Sequence, residues 1–169
     1  FEGNIQTDLT QSFAPQKSIV EGGKYTIREL LDYMITYSDN KSYYILLKYL
    51  DTISPNAQML RDTFIDLGII DPKSELDDTI TVKAYATIFT QLFNSTYFDK
   101  KETSEFALNL LAKTDFTSGI NQGVPAGITI AHKFGERFDT GLKVNQLHDC
   151  GVVYFPSNPY SLCVMTKGN

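Results

Sequence analysis

Apolar residues recur at three- and four-residue spacing through Ile27, Leu30, Leu31, Met34 and Ile35, the period of a helix with one face turned to a core. Thr26-Ile27-Arg28-Glu29 stands at the start as a capping box, in which the Thr hydroxyl and the Glu carboxylate satisfy the first backbone N–H groups. Ser38-Asp39-Asn40 interrupts the pattern, because these side chains bond their own backbone and favour a turn followed by a new N-cap. Beyond it Tyr43, Tyr44, Ile45, Leu46, Leu47, Tyr49 and Leu50 are apolar almost all round, which predicts a second helix buried between others. Ser54-Pro55 opens a third helix with Met59, Leu60, Phe64 and Leu67 inward and Gly68 as its C-cap.

A polar connection from Asp71 to Asp78 leads into a fourth helix that carries Ala84, Tyr85, Ile88, Phe89, Leu92 and Phe93, and a fifth runs from about Lys101 to Lys113. Thr117-Ser118-Gly119, Gly123, Pro125 and Gly127 then break the helical period. Ile128 to Phe134 reads as a strand, and Cys150 to Phe155 with Tyr160 to Thr166 as the arms of a hairpin whose tip is Phe155-Pro156-Ser157-Asn158-Pro159. Helices first and antiparallel strands last predict an α+β fold. No internal repeat or linker divides the chain, so one domain is expected, mainly helical over residues 1–127 and antiparallel over 128–169.

Composition narrows the partners. With 42% hydrophobic residues in 169, the chain holds enough apolar material for one packed core. A net charge of −5 gives no broad positive field for phosphate backbones or anionic lipid, which argues against nucleic acid and membrane surface. No apolar run approaches the ~20 residues that span a bilayer, and Phe1-Glu2-Gly3-Asn4 does not open a signal peptide. Cys150 and Cys163 read as small buried hydrophobes with free thiols, although their places on the two hairpin arms permit a cross-strand bond. His132 and His148 sit at no ligand-like spacing with the thiols, so no metal and no cofactor is expected. Both histidines read as strand-end or turn residues.

Two short motifs in a fixed order carry chemistry: Ser38-Asp39-Asn40 after the capped helix, and Ala131-His132-Lys133-Phe134-Gly135 at the end of an apolar strand. With His148-Asp149-Cys150-Gly151 leading into the hairpin, this order resembles the active-site serine β-lactamases and penicillin-binding proteins, closest to class A β-lactamase-like enzymes. That family combines an S-x-x-K, an S-D-N and a K-T-G motif. The 37 residues ahead of Ser38 are fewer than the family places between its S-x-x-K and S-D-N, so the sequence reads as the later part of a domain, incomplete at its N-terminus. Ser38-Asp39-Asn40-Lys41 is formally an S-x-x-K, but one serine would then be both attacker and proton relay.

The resemblance implies a β-lactamase/transpeptidase-like fold and a serine hydrolase that opens an amide through an acyl-enzyme. Ser38 would pass a proton to the leaving nitrogen, and Asn40 would hold the nucleophile's lysine or the substrate amide. Asp39 would brace the turn. Lys133 would supply positive charge for a substrate carboxylate and for Ser38, and Gly135 would let substrate approach the strand. Phe134 departs from the family's Thr or Ser; Arg137 is the candidate to receive the carboxylate instead, against a plain surface pair with Glu136. Glu75 is the candidate deacylation base, against a solvated loop carboxylate. The implied partner is a β-lactam or a peptidoglycan stem peptide, met outside the cytoplasmic membrane. A penicillin-binding D,D-peptidase and a non-catalytic domain of the same fold are the alternatives.

Overall fold

The computed structural model describes residues 12–55, 58–70, 80–139 and 143–168. Among these residues five α-helices precede a three-stranded sheet: α1 Ile27–Thr36, α2 Asn40–Ile53, α3 Gln58–Asp66, α4 Val82–Asn94 and α5 Lys101–Leu111, then a 3₁₀ turn Ile120–Gly123 and β1 Ile130–Asp139, β2 Val144–Val153 and β3 Tyr160–Gly168. The sheet order is β1-β2-β3, antiparallel throughout. α4 and α5 lie on one face of it, and α1 packs on both α5 and α2.

Local chemistry sets these boundaries. The capping box at Thr26 forms as the sequence predicts: Glu29 N–H donates to Thr26 Oγ1 at 3.2 Å, and the Thr26 N–H donates to the Glu29 carboxylate at 2.7 Å. Thr81 caps α4 by accepting from the Ala84 N–H. α3 closes with Gly68 at φ +69°, where the Ile69 N–H reaches Phe64 O and the Gly68 N–H reaches Ile65 O, a Schellman pair that needs a left-handed residue.

The main core lies between the sheet and α4/α5, where Phe89, Leu111, Ala131, Cys150 and Val152 meet. A second cluster joins Ile19, Leu30 and Ile45, and ties the segment ahead of α1 to both α1 and α2. A third, of Ile120, Ile130 and Val153, fixes the 3₁₀ turn to the sheet.

Three expectations are corrected. α2 is not a buried central helix: of its residues Ser42 and Ile45 are buried while Tyr43 is 41% exposed, because α1 covers one side only. Ser54 closes α2 and its hydroxyl accepts the Met59 N–H of α3 at 3.0 Å, but the inward face expected of α3 is not found: Met59 is 45% exposed and none of the described residues of α3 is fully buried. The thiols are not free. Cys150 and Cys163 face each other directly in the β2/β3 register, with Cα atoms 4.0 Å apart, and they are joined as a disulfide. The strands also extend further than their apolar runs, so β1 and β2 form a ten-residue hairpin whose outer half is polar.

The turn between α1 and α2 is held by one carboxylate. Asp39, 2% exposed, accepts from the Lys41 and Ser42 N–H groups, the Ser42 hydroxyl at 2.6 Å, the Ser18 hydroxyl at 2.7 Å and the Ile19 N–H. It is at once the N-cap of α2 and the anchor of the preceding segment. Asp39→Ala strands these donors and is expected to cost about 3 kcal/mol, read as a shift of the urea midpoint at unchanged slope. Reduction, or Cys150→Ala with Cys163→Ala, is expected to cost about 2–3 kcal/mol; intact mass confirms the bond by the gain of two hydrogens, and a melt with and without dithiothreitol measures its contribution.

Candidate active site

The two motifs meet in space. Ser38 sits at φ +53° between α1 and α2, a left-handed conformation that turns the chain sharply and is stabilised by the Asp39 network beside it. Lys133 lies on β1 and donates from Nζ to Ser38 Oγ, across 95 residues of sequence. Its second contact is the Phe134 carbonyl at 3.2 Å, and its ammonium lies 4.4 Å from the centroid of the Phe134 ring. The Tyr85 hydroxyl of α4 donates to the Lys133 carbonyl at 2.8 Å, which fixes the strand at the lysine.

Ser38, Asp39, Asn40 and Lys133 share one cavity of about 470 Å³. Its polar rim is formed by these residues and Tyr85, while Met34, Ile35, Ile88, Phe89, Leu92 and Leu111 supply an apolar wall. That wall explains the charge chemistry. Burial pushes the Lys133 ammonium down to about 8, with Asp115 and then Asp149 pulling the other way. The same burial, with Asp149 second, holds the Tyr85 phenol far above its ordinary range, so it stays a neutral donor.

A strap over residues 13–19 laces the walls of the site together. The Phe13 N–H donates to Glu136 of β1 at 2.7 Å, the Gln16 N–H to Asp115 at 2.9 Å, and Ser18 and Ile19 to Asp39. Phe13 also sets its ring edge-on to Phe116 and Phe134, which are themselves stacked 3.9 Å apart. Phe134 is therefore buried in an aromatic trio, and where the family's motif presents a hydroxyl this chain packs a ring.

The other candidates fall at different places. Gly135 is half-buried on β1, and a Cβ built on it meets no atom within 4 Å, so the strand has open space in front of it. Arg137 is exposed two positions further along the same strand face, about 13 Å of strand from Lys133, and does not line the cavity. Glu75 lies outside the described residues. Among the described residues no group of three or more His, Cys, Asp or Glu side chains is placed to hold a metal.

Sequence reasoning missed a second layer behind Lys133. His132 and His148 are not strand-end residues; both lie inside strands of the central hairpin. His132, 1% exposed, shares a 2.8 Å hydrogen bond between Nδ1 and Asp149 Oδ1, and Asp149 Oδ2 accepts the Ile120 N–H at 3.0 Å. The available signal was an aspartate, Asp149, on the apolar side of a strand otherwise reading Cys150-Gly151-Val152-Val153, since a carboxylate there must be paired.

Several solved structures share this arrangement of helices and strands. PBP-A superposes with a TM-score of 0.69 at 20% identity, over 89% of this chain and 56% of its own. The TLA-1 extended-spectrum β-lactamase gives 0.70 at 16%, over 88% and 57%, and a β-lactamase from Chitinophaga pinensis DSM 2588 gives 0.68 at 20%, over 86% and 57%. A PBP-A variant with a TM-score of 0.68 at 22% identity, over 89% of this chain and 56% of that one, was solved as an acyl-enzyme complex with penicillin G. The chain thus spans a little over half the length of the structures it matches, and at these identities the likeness shows the fold. No curated protein matches it. The model of the β-lactamase enzyme family, however, matches residues 6–169, the stretch that contains the serine turn, the lysine strand and the hairpin behind it, and the chain belongs to that family.

Proposed function

We propose that this chain carries the proton-relay and substrate-binding side of a serine hydrolase that opens a β-lactam amide through an acyl-enzyme, the attacking serine lying outside this sequence. The observation that carries the reading is the Lys133–Ser38 contact at the edge of a partly apolar cavity. With the ammonium donating to Ser38 Oγ, the serine's own O–H proton is left to point into the cavity toward a leaving nitrogen. When that proton is given away, Lys133 replaces it, and an ammonium near 8 does so at little cost around neutral pH. Asn40, the first residue of α2, offers both an amide donor and an acceptor at the same rim. The apolar wall of Met34, Ile35, Ile88, Phe89 and Leu92 suits a helix whose polar end would bring the nucleophile to this rim. The whole 169 residues are read as one part of that domain, and Glu75 stays the proposed deacylation base.

A penicillin-binding D,D-peptidase acting on peptidoglycan is the second reading. Phe134 does not separate the two, since a stem peptide's terminal carboxylate would need the same hydroxyl that this buried ring replaces; it favours instead a non-catalytic domain of the same fold. Either way, the reading places the protein outside the cytoplasmic membrane, where the substrates are, and the Cys150–Cys163 disulfide suits an oxidising compartment.

The test is intact-mass labelling of the complete gene product with a fluorescent penicillin, followed over minutes. An adduct that decays supports hydrolysis; one that persists moves the reading to the peptidase; no adduct on a folded protein sinks both. Lys133→Ala is expected to slow labelling by about 100-fold or more. The pH dependence follows from the lowered lysine: the ammonium is present below about 8 and lost above it, so labelling should fall as pH rises through that value. Lys133→Arg, charged at every accessible pH, is expected to abolish that alkaline limb whatever its absolute rate.

A further inference from the structure

We propose that Tyr85 is a positioning residue for Lys133: its phenol, carried on the capped first turn of α4, holds the Lys133 carbonyl where the ammonium reaches Ser38. The inference rests on the proposed reading of the site, while the contact itself needs no substrate.

Lys133 reaches Ser38 on a flexible four-carbon stem, so the place of its backbone decides where the ammonium lies. That backbone is paired on one side only: β1 bonds to β2, and among the described residues no strand lies along its other edge. α4 packs chiefly on β2 and β3. The Tyr85 hydroxyl, donating to the Lys133 carbonyl at 2.8 Å, ties α4 to β1 at the lysine itself.

The phenol is presented from a rigid place. Thr81 caps α4 by accepting the Ala84 N–H at 3.1 Å, its carbonyl accepts the Tyr85 N–H at 3.0 Å, and the Tyr85 ring meets Phe89 edge-on at 5.5 Å. That ring also packs against the main core, where a phenylalanine would fill the same space. The hydroxyl is therefore the part that packing leaves unexplained. Set in a largely apolar wall it needs a partner, and its acceptor is the carbonyl of the lysine that lines the same cavity. Burial keeps the phenol protonated, so it remains a donor while Lys133 titrates. Small displacements matter at such a place, since moving a reacting group by about 1 Å can cost about 100-fold in rate.

The experiment is an NMR titration of Lys133, through its 13Cε and 15Nζ resonances, in the complete gene product and in its Tyr85→Phe variant, with folding checked by a thermal melt. Phenylalanine keeps the ring and the burial, so a moved midpoint reports a moved lysine. A lysine that slips from Ser38 toward water regains solvation, and its midpoint is expected to rise from about 8 by about half a unit or more, a threefold change in the ammonium-to-amine ratio. Thr81→Ala, which frees the first turn of α4 without altering the cavity wall, is expected to move it the same way and gives the reading should Tyr85→Phe not fold. A midpoint at or below the wild-type value in the folded variant overturns the proposal and leaves the phenol a structural bond, whose loss would lower the melt without shifting the lysine. Penicillin labelling of Tyr85→Phe is expected to slow about tenfold at an unchanged half-saturating concentration. No β-lactam enters the titration, so failed labelling of the wild-type protein beside a shifted lysine counts against the hydrolase reading alone.

Discussion

The buried carboxylate of Asp39 is the constraint from which the site follows. One side chain caps α2, anchors the strap through Ser18 and Ile19, and fixes the turn that forces Ser38 into the left-handed region. A carboxylate offers about four lone-pair directions, and here backbone N–H groups and two hydroxyls from both sides of the chain saturate them. Each donor would need a partner of its own if the carboxylate were absent, so the turn, the start of α2 and the path of residues 13–19 stand or fall together. Ser38 is turned toward Lys133 by the chain path that this network fixes.

The second layer of organisation is the balance around Lys133. The helices α1, α4 and α5 present an apolar wall to the cavity, and desolvation alone would drive the lysine toward the neutral amine. Two carboxylates, on the loop after α5 and on β2, oppose that pressure without contacting the ammonium. The lysine is thereby left with its directed bonds to Ser38 and to the Phe134 carbonyl, poised near 8 and not locked in a salt bridge. A direct ion pair would have raised the ammonium and made its proton costly to move. The aromatic trio of Phe13, Phe116 and Phe134 closes the flank of the same strand, so the strap, the loop and β1 are tied by ring packing as well as by carboxylates.

Different parts of the molecule were legible to different degrees. The capping box, the turn at Ser38-Asp39-Asn40 and the final hairpin follow from local chemistry and appear where that chemistry places them. α2 was misjudged because an all-round apolar pattern records composition, not whether a neighbour covers each side; Tyr43 is exposed although its residue type suits a core. The disulfide was missed because sequence spacing cannot tell directly opposed strand positions from offset ones, and the register pairs Cys150 with Cys163. His132 and Asp149 are 17 residues apart and become partners through the same register, with His132 one position before Lys133.

The sequence by itself determined the α+β order, the helix starts and the two chemistry-bearing motifs, because capping, turn preference and hydrophobic period act over a few residues at a time. Only the tertiary structure decided that Lys133 reaches Ser38, that His132 and Asp149 pair, and that Phe134 is buried under Phe116 and Phe13. Those relations depend on strand register and on which helix face meets the sheet, properties of the whole packed chain that no local run of residues encodes.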